Sequence, residues 1–368
     1  MKNPKERIII SLILLIFIFT LFSIIVYSTS DLSVSARAAT LYEPVTNSFV
    51  YEKNADQRLP MASTTKIMTA LVAIENADLN KTVVTTENAY GTEGSSLYLK
   101  LGEALTMEDM LYGLMLRSAN DAAIAIAEDI SGTVEAFSTL MNNKAASLGL
   151  TDTHFTNPHG LDDPNHYTTA RELAIITAEA LRNPTFKTIV STYKRTIKSS
   201  TGEERMLVNH NKLLKLYDGA IGVKTGFTKR SGRSLVGAAE RDGLTFITVT
   251  IDAPSDWSDH AKLFDLGFST LERVVLAKEG QFSYSIPIIG GKKQSIKVKN
   301  TEELAIIKKT SDPMPYTQVK LNRYTTAPVS YGDKLGTVSF ISEGQTIGSI
   351  NLYATEYSEK QNKGFFGL

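Results

Sequence analysis

The sequence contains no cysteine in 368 residues. This absence excludes disulfide bonds, thiolate zinc sites and a cysteine nucleophile, so covalent catalysis would have to use oxygen or nitrogen. Acidic and basic residues balance at 39 each, so no net charge attracts the chain to nucleic acid. The five histidines lack the H-E-x-x-H spacing of a metal site. We therefore expect no metal, no cofactor and no nucleic-acid partner.

Only the N-terminus carries a long uncharged apolar run. Three basic residues among the first seven precede apolar residues 8–27, and Ala36-Arg37-Ala38 offers an A-x-A cleavage pattern before Ala39. This arrangement predicts export, with the rest of the chain outside the cytoplasmic membrane. The run is longer than the core of most signal peptides and about as long as a membrane-spanning helix. Two outcomes therefore stay open: cleavage, which would give a secreted protein, and retention as a membrane anchor.

Hydrophobic periodicity predicts a helix-rich region followed by strands. Helices are expected at 63–77, 107–116, 121–130, 134–147 and 256–270, and from a cap at Thr169 to just before Pro184. Beyond Pro184 the alternation predicts a strand at 186–197. Asp242-Gly243 then joins two further strands, 234–240 and 244–251, in a tight hairpin. Together these elements predict a mixed α/β fold.

The order of the elements also predicts the domain organisation. We expect a signal peptide or membrane anchor at 1–38, a larger domain at 39–275, a smaller β-rich domain at 276–358 and a tail at 359–368. The boundary is placed near Leu276, after which the sequence is strand-like. Phe365, Phe366 and Leu368 in the tail offer contact with a membrane surface, although a frayed terminus is the favoured interpretation.

A serine with a base beside it is the first chemical feature of the chain. In Ser63-Thr64-Thr65-Lys66, helical spacing puts Ser63 and Lys66 on one face, so the amine can take the hydroxyl proton. Burial near a helix N-terminus would lower the pKa of Lys66 enough for that task. The pair alone is weak evidence, because Ser63 also suits a helix N-cap. The same pattern recurs at 191–194 inside a predicted strand, where we assign it no function.

Two further motifs follow the serine and lysine along the chain. Ser118-Ala119-Asn120 lies in the break between two predicted helices, where a hydroxyl and an amide can converge on a bound peptide. Lys224-Thr225-Gly226 is the only K-T-G in the chain and lies on a predicted strand before the hairpin. Its glycine permits a close approach of a ligand to the strand edge. The S-x-N pattern alone is unspecific, since Ser349-Ile350-Asn351 also matches it.

The order S-x-x-K, S-x-N, K-T-G resembles the motif set of penicillin-binding proteins and class A β-lactamases. Residues 60–70, 114–125 and 219–228 are similar to the low-molecular-weight D-alanyl-D-alanine carboxypeptidases, with further likeness at 157–161 and 169–171. The resemblance covers about 41–268. It implies a β-lactamase/transpeptidase-like catalytic domain at 39–275, with an antiparallel sheet flanked by helices, followed by the β-rich domain.

The resemblance also implies an activity and its partners. The chain would be a serine-type peptidase that removes the terminal D-alanine from peptidoglycan stem pentapeptides ending in D-Ala-D-Ala. β-Lactam antibiotics would inhibit it by acylating the same serine. It would act at the outer face of the cytoplasmic membrane or in the cell wall, and its contact with the membrane would be the N-terminal segment if that segment is not cleaved.

Catalytic roles carry over onto five residues of this sequence. Ser63 would be the acylated nucleophile and Lys66 its base. Ser118 and Lys224 would relay a proton to the leaving D-alanine, and Asn120 would bind the substrate backbone.

Substrate-binding roles carry over onto the strand of the K-T-G motif. Thr225 would meet the terminal carboxylate, and Gly226, Phe227 and Thr228 would line the substrate. The backbone N–H groups of Ser63 and Phe227 would form the oxyanion hole, which stabilises the charge of the tetrahedral intermediate.

Two positions depart from the family pattern. The family often carries an arginine a little before the Gly-Phe that ends the domain, whereas residues 256–260 here read Asp-Trp-Ser-Asp-His. The position after Gly232, often aromatic in the family, is Arg233. Arg233 or Lys229 is a candidate substitute for the missing arginine.

Two other functions remain as alternatives. A β-lactamase shares the acylation chemistry, but the E-x-x-L-N loop that class A enzymes use for deacylation has no match here. A non-catalytic, membrane-tethered wall-binding protein would predict a broken set of motifs, whereas every polar group is present. The peptidase is therefore the favoured function.

Overall fold

The structure is a computed structural model that describes residues 32–361. The predicted signal or anchor at 8–27 and the apolar end of the tail lie outside the described residues. Within residues 32–361 no helix is both long enough and apolar enough to cross a membrane. The helices, in chain order, are α1 (Lys66–Asn76), α2 (Met107–Leu116), α3 (Asn120–Ser131), α4 (Val134–Ser147), α5 (Ala170–Arg182), α6 (Pro184–Ser191), α7 (Leu213–Leu216) and α8 (Asp256–Thr270).

Strands make up most of the remainder of the described chain. In order they are β1 (Ala38–Glu43), β2 (Ser48–Lys53), β3 (Thr82–Val84), β4 (Ala104–Thr106), β5 (Lys194–Lys198), β6 (Glu204–Val208), β7 (Ala220–Thr228), β8 (Gly232–Arg241), β9 (Leu244–Ile251), β10 (Leu271–Ala277), β11 (Ser283–Ile289), β12 (Ser295–Lys299), β13 (Leu304–Lys309), β14 (Tyr316–Leu321), β15 (Thr325–Thr326), β16 (Lys334–Ser342) and β17 (Gln345–Ala354).

The central sheet has the antiparallel order β2-β1-β9-β8-β7. Helices α5 and α8 both contact β9, and α6 contacts β7. The predicted hairpin is confirmed, because Asp242 and Gly243 join β8 to β9 with φ of 51° and 75°. Since β7 is the last strand in the order, its outer edge is free to pair with an extended ligand.

One apolar core packs helices α1 to α6 against this sheet. Every residue of α1 from Lys66 to Ala73 is buried, as expected for a helix that is apolar on most sides. Helices α2 and α3 are equally buried, and the first turn of α2 is capped by Thr106, whose side chain accepts from the Asp109 backbone N–H. The core therefore fixes the elements that carry the serine and lysine motifs.

The C-terminal part forms a second, β-rich assembly. Its larger sheet has the order β14-β16-β17-β12-β11-β15, and β10 pairs with β13. A separate apolar cluster, including Ile286, Val298, Val338 and Leu352, lies within it. The predicted fold class, a catalytic α/β part followed by a β-rich part, is confirmed. The boundary near Leu276 stays a prediction, and Leu276 itself lies inside β10.

The strand predicted at 186–197 is wrong. Residues Pro184–Ser191 form α6, and only Lys194–Lys198 form a strand. The Asn183 side chain accepts from the backbone N–H groups of Thr185 and Phe186, and Pro184 occupies the first helical turn, where its missing N–H costs nothing. Phe186, Ile189 and Val190 then bury one helical face. The Asn183 cap starts a helix, and the buried residues follow the spacing of a helix rather than the alternation of a strand.

Candidate active site

Ser63 and Lys66 meet at the start of α1. Ser63 lies in a 3₁₀ turn, Ala62–Thr65, that runs directly into the helix, and Lys66 Nζ is 3.1 Å from Ser63 Oγ. Two threonine hydroxyls brace the turn, since Thr64 Oγ1 donates to the Met61 carbonyl and Thr65 Oγ1 to the Ala62 carbonyl. Ser63 does not occupy the N-cap position of either helix. Capping therefore does not account for it.

Lys66 is fully buried and surrounded by oxygen acceptors. Its amine also donates to Asn120 Oδ1 at 2.7 Å and to the His159 carbonyl at 2.6 Å. Burial holds the pKa of Lys66 well below its usual value, and the positive charge of Lys224 lowers it further, while Asp121 raises it in part. An amine whose pKa is lowered and which touches a serine hydroxyl is equipped to act as a general base.

The S-x-N motif lies in the break between α2 and α3. Ser118 has a φ of 61° and is buried, and Asn120 is the first residue of α3. The Asn120 side chain is bonded on both sides, because Nδ2 donates to the Glu93 carbonyl at 2.6 Å while Oδ1 accepts from Lys66. Gly94 has a φ of 93°, and a Cβ there would lie 2.7 Å from Asn120 Nδ2. These contacts favour a positioning role for Asn120 toward Lys66.

The K-T-G motif runs along β7 beside Ser63. A Cβ on Gly226 would lie 3.2 Å from the backbone nitrogens of Ser63 and Thr64, so a larger residue would push the strand and the 3₁₀ turn apart by a few tenths of an ångström. Lys224 is buried, and its Nζ donates to the Thr225 carbonyl at 2.9 Å. Burial lowers the pKa of Lys224 to about 7. Thr225 is half-buried at the free edge of the sheet.

A cleft of about 400 Å³ opens above these residues. Its lining includes Ser63, Ser118, Thr225, Gly226 and Phe227, whereas Lys66, Asn120 and Lys224 form a buried layer beneath. Thr228 does not line the cleft, and its hydroxyl donates to Asp162 Oδ1 at 2.9 Å. The structure therefore brings together the three motifs, with nucleophile and strand edge exposed to a ligand.

A larger groove of about 640 Å³ lies elsewhere, where Val45 and Gly243 face β13 residues such as Ile306. It contains no serine paired with a lysine. The volume of a groove therefore does not identify the active site. The contact between Ser63 and Lys66 identifies it.

Some residues that shape the site were missed or left open by motif reasoning. The loop at 157–161 supplies the His159 carbonyl to Lys66, and Gly160, with a φ of 89°, packs where a Cβ would overlap the Ala62 carbonyl oxygen. The His159 ring accepts from the Leu161 backbone N–H through Nδ1, so it stabilises its own loop. The likeness at 157–161 was the available signal. Nothing local in the sequence indicates that the Glu93 carbonyl accepts a hydrogen bond from the Asn120 side chain.

The comparisons with known proteins agree with this geometry. The family model described as D-alanyl-D-alanine carboxypeptidase matches residues 25–255, and the model of the penicillin-binding protein 5 C-terminal domain matches residues 272–360. The chain belongs to the D-alanyl-D-alanine carboxypeptidase family.

Relatives in this family cover most of the chain. D-alanyl-D-alanine carboxypeptidase DacF of Bacillus subtilis is 34% identical, over 90% of this chain and 88% of its own length. DacC of Escherichia coli is 30% identical, over 91% and 86%. The crystal structure of penicillin-binding protein 5 from Haemophilus influenzae superimposes with a TM-score of 0.65 at 29% identity, covering 89% of this chain and 98% of that one.

Family membership confirms the predicted class of enzyme, a serine D-Ala-D-Ala carboxypeptidase and therefore a hydrolase. The roles of individual residues rest on the geometry above. The structure shows where one of the two positions that differ from the family pattern lies. Arg233 is paired with Asp256 at the edge of the cleft, next to Trp257. Lys229, the other candidate cation, is exposed and does not line the cleft.

Proposed function

We propose that the chain removes the terminal D-alanine from peptidoglycan stem pentapeptides through an acyl-enzyme on Ser63. The observation that carries this proposal is the contact of the buried, pKa-depressed Lys66 amine with Ser63 Oγ at 3.1 Å. A serine hydroxyl is a weak nucleophile unless a base accepts its proton, and Lys66 is the base in contact with it.

In the first half of the reaction Ser63 is acylated. Neutral Lys66 takes the Ser63 proton while Oγ attacks the carbonyl carbon of the penultimate D-alanine. The backbone N–H groups of Ser63 and Phe227 stabilise the oxyanion. The peptide C–N bond then breaks, and Ser118 and Lys224 relay the proton taken up by Lys66 to the departing nitrogen. D-alanine therefore leaves with a free amino group, and Lys66 is neutral again.

In the second half water replaces D-alanine. Lys66, again neutral, accepts a proton from the water that attacks the ester carbonyl, and Ser63 regains its proton as the C–O bond breaks. The products are the shortened peptide and free enzyme. The same Oγ would open a β-lactam ring, whose amide occupies the position of the D-Ala-D-Ala bond, so penicillins are proposed inhibitors.

The free edge of β7 supports binding of the substrate as an added strand. Extended peptides pair with exposed sheet edges through backbone hydrogen bonds, and β7 has one unpaired side next to the cleft. We place Thr225, Gly226 and Phe227 along that peptide, whereas Thr228 lies outside the cleft lining. Phe227 is 64% exposed, which suits contact with a ligand rather than packing in the core.

We also propose export of the chain, with action at the outer membrane face or in the wall, where its substrate occurs. The N-terminal apolar run at 8–27 supports this location. The β-rich part at 276–358 would act as a spacer with its own apolar cluster.

Release of D-alanine from diacetyl-L-Lys-D-Ala-D-Ala tests the proposal. Wild type should release D-alanine and label with fluorescent penicillin, and Ser63→Ala should do neither while keeping the wild-type melting temperature. Penicillin labelling without D-alanine release would instead favour the β-lactamase alternative, provided that hydrolysed penicillin accumulates. Neither activity in folded wild type would favour the wall-binding alternative.

A further inference from the structure

Two threonine hydroxyls on the first turns of α1 are bonded to the loop at 156–168. Thr65 Oγ1 lies 2.7 Å from His166 Nε2, and Thr69 Oγ1, one turn later, donates to the Pro158 carbonyl at 2.6 Å. All of these atoms are buried beside the cleft rather than in it. Only the first of the two bonds leads back to the 3₁₀ turn that carries the nucleophile.

The surroundings of the His166 ring make its Nε2 atom a hydrogen-bond donor. Its Nδ1 atom accepts from the Thr156 backbone N–H at 3.1 Å, so the proton of the neutral ring is on Nε2. The ring is buried against Phe155, with 5.8 Å between the ring centroids, and burial lowers the pKa of His166 to about 4. A neutral imidazole therefore donates to Thr65 Oγ1 at pH 7.

Thr65 continues this chain of hydrogen bonds to the Ala62 carbonyl. A hydroxyl that accepts one hydrogen bond keeps its own proton for another, and Thr65 Oγ1 donates to the Ala62 oxygen at 2.7 Å. Ala62 has a φ of 48°, a conformation that alanine keeps only when its surroundings hold it there. The Gly160 backbone covers the same two atoms, because a Cβ there would lie 1.9 Å from the Ala62 oxygen and 2.8 Å from Thr65 Oγ1.

The Ala62 carbonyl and the Ser63 N–H belong to one planar peptide unit, in which the two bonds point in opposite directions. Holding the oxygen in place therefore also sets the direction of the N–H. We propose that His166 and Thr65 are positioning residues that aim the Ser63 N–H at the oxyanion, acting through the Ala62 carbonyl. The inference rests on the proposed function, in which that N–H stabilises the tetrahedral intermediate, and adds two buried residues to it.

The test combines D-alanine release from diacetyl-L-Lys-D-Ala-D-Ala with binding of a peptide boronic acid, whose boron replaces the carbonyl carbon of the penultimate D-alanine. Ser63 Oγ bonds to the boron and gives its proton to Lys66, and the tetrahedral adduct imitates the oxyanion. Thr65→Val should lower kcat and weaken boronic acid binding, each about 10- to 100-fold, while KM changes by less than about 3-fold. Thr65→Ser keeps the hydroxyl and should restore wild-type values.

Two variants of His166 separate its two hydrogen bonds. In His166→Gln the side-chain amide reaches the position of Nε2 and can donate to Thr65, whereas in His166→Asn it reaches only the position of Nδ1. His166→Gln should therefore retain most of kcat, and His166→Asn should show the loss expected of Thr65→Val. Because both changes interrupt one chain of bonds, Thr65→Val/His166→Asn should lose no more activity than Thr65→Val alone.

Thr69→Val is the matched control, because it removes a buried hydroxyl bond between the same helix and the same loop that does not involve Ala62. It should keep the wild-type kcat and boronic acid affinity, even if its melting temperature falls as far as that of Thr65→Val. Wild-type kcat in Thr65→Val or His166→Asn, or an equal loss of kcat in Thr69→Val, would overturn the proposal. Folded wild type that neither releases D-alanine nor labels with penicillin would instead be a failure of the proposed function.

Discussion

Lys224 lies close enough to Lys66 for its positive charge to lower the pKa of the Lys66 amine. Both lysines are buried in the same site, and each would be fully charged at neutral pH if it were exposed. Burying two cations together is unfavourable unless at least one loses its proton. We propose that Lys66 is the member that loses its proton and acts as the base at Ser63, and that Lys224 is the cation that serves the leaving group.

The two lysines predict a bell-shaped pH profile of kcat/KM. Activity should rise with pH as Lys66 loses its proton, because only the neutral amine accepts the Ser63 proton. It should fall above about pH 7, where Lys224 loses the proton that the leaving group requires. In Lys224→Arg the residual activity should lack the alkaline limb, since a guanidinium stays charged. A wild-type profile that rises steadily to pH 9 would contradict these roles.

Lys66→Ala should abolish acylation while leaving the fold intact. Removal of a general base costs about 10²–10⁴-fold in rate, and loss of the partner of an activated nucleophile can cost more. The measurement is the rate of labelling by fluorescent penicillin. Lys194→Ala is the control from the second S-x-x-K pattern, where both Ser191 and Lys194 are exposed, and it should label at the wild-type rate. Near wild-type labelling of Lys66→Ala would exclude it as the base.

Gly226→Ala should slow acylation about 10- to 100-fold. The added Cβ would lie 3.2 Å from the Ser63 and Thr64 backbone nitrogens, so the 3₁₀ turn or β7 must shift by a few tenths of an ångström. Small displacements of a nucleophile carry large rate penalties. Gly348→Ala, where the three atoms nearest to the added Cβ all belong to the flexible Leu304 side chain, should leave the rate unchanged. Equal rates in both variants would show that the close approach is not needed.

The burial of His260 predicts that the free energy of unfolding decreases at acid pH. It is fully buried between the Thr248 and Thr250 hydroxyls, and burial lowers its pKa to about 3. Unfolded histidine binds a proton below about pH 6.5, so the unfolded state holds more protons there and stability falls as pH decreases. This group should contribute a slope of about 1.4 kcal/mol per pH unit between pH 6 and 4.

Urea unfolding at pH 7, 6, 5 and 4 measures that slope. His260→Gln should show a shallower loss of unfolding free energy than wild type, and His154→Gln, at an exposed position, should follow wild type. Parallel curves for wild type and His260→Gln would show that His260 contributes nothing to acid sensitivity.

Helix bounds could be predicted from the sequence where a capping residue marks the first turn. Met107–Leu116 and Val134–Ser147 have the predicted bounds, and side-chain caps at Thr106 and Thr133 fix where they begin. The strand predicted at 186–197 was wrong because alternation over a short apolar stretch also fits a helix, and the Asn183 cap with Pro184 decides for the helix.

The layout of the site required the tertiary structure. Motif order predicted which residues meet, but not that Asn120 is bonded by both Lys66 and the Glu93 carbonyl. Nor did it show that Asp256 orients Arg233, since the two lie on different elements and their pairing leaves no local pattern. Contacts between distant segments depend on packing, which short motifs do not encode.

Location of a penicillin adduct tests the central claim most directly. Intact-protein mass spectrometry of wild type after reaction with benzylpenicillin should show a mass increase of one penicillin, and peptide mapping should place it on Ser63. Ser63→Ala should show no adduct under the same conditions. An adduct on Ser191 or Ser118, or one that persists in Ser63→Ala, would contradict the assignment of Ser63 as the nucleophile.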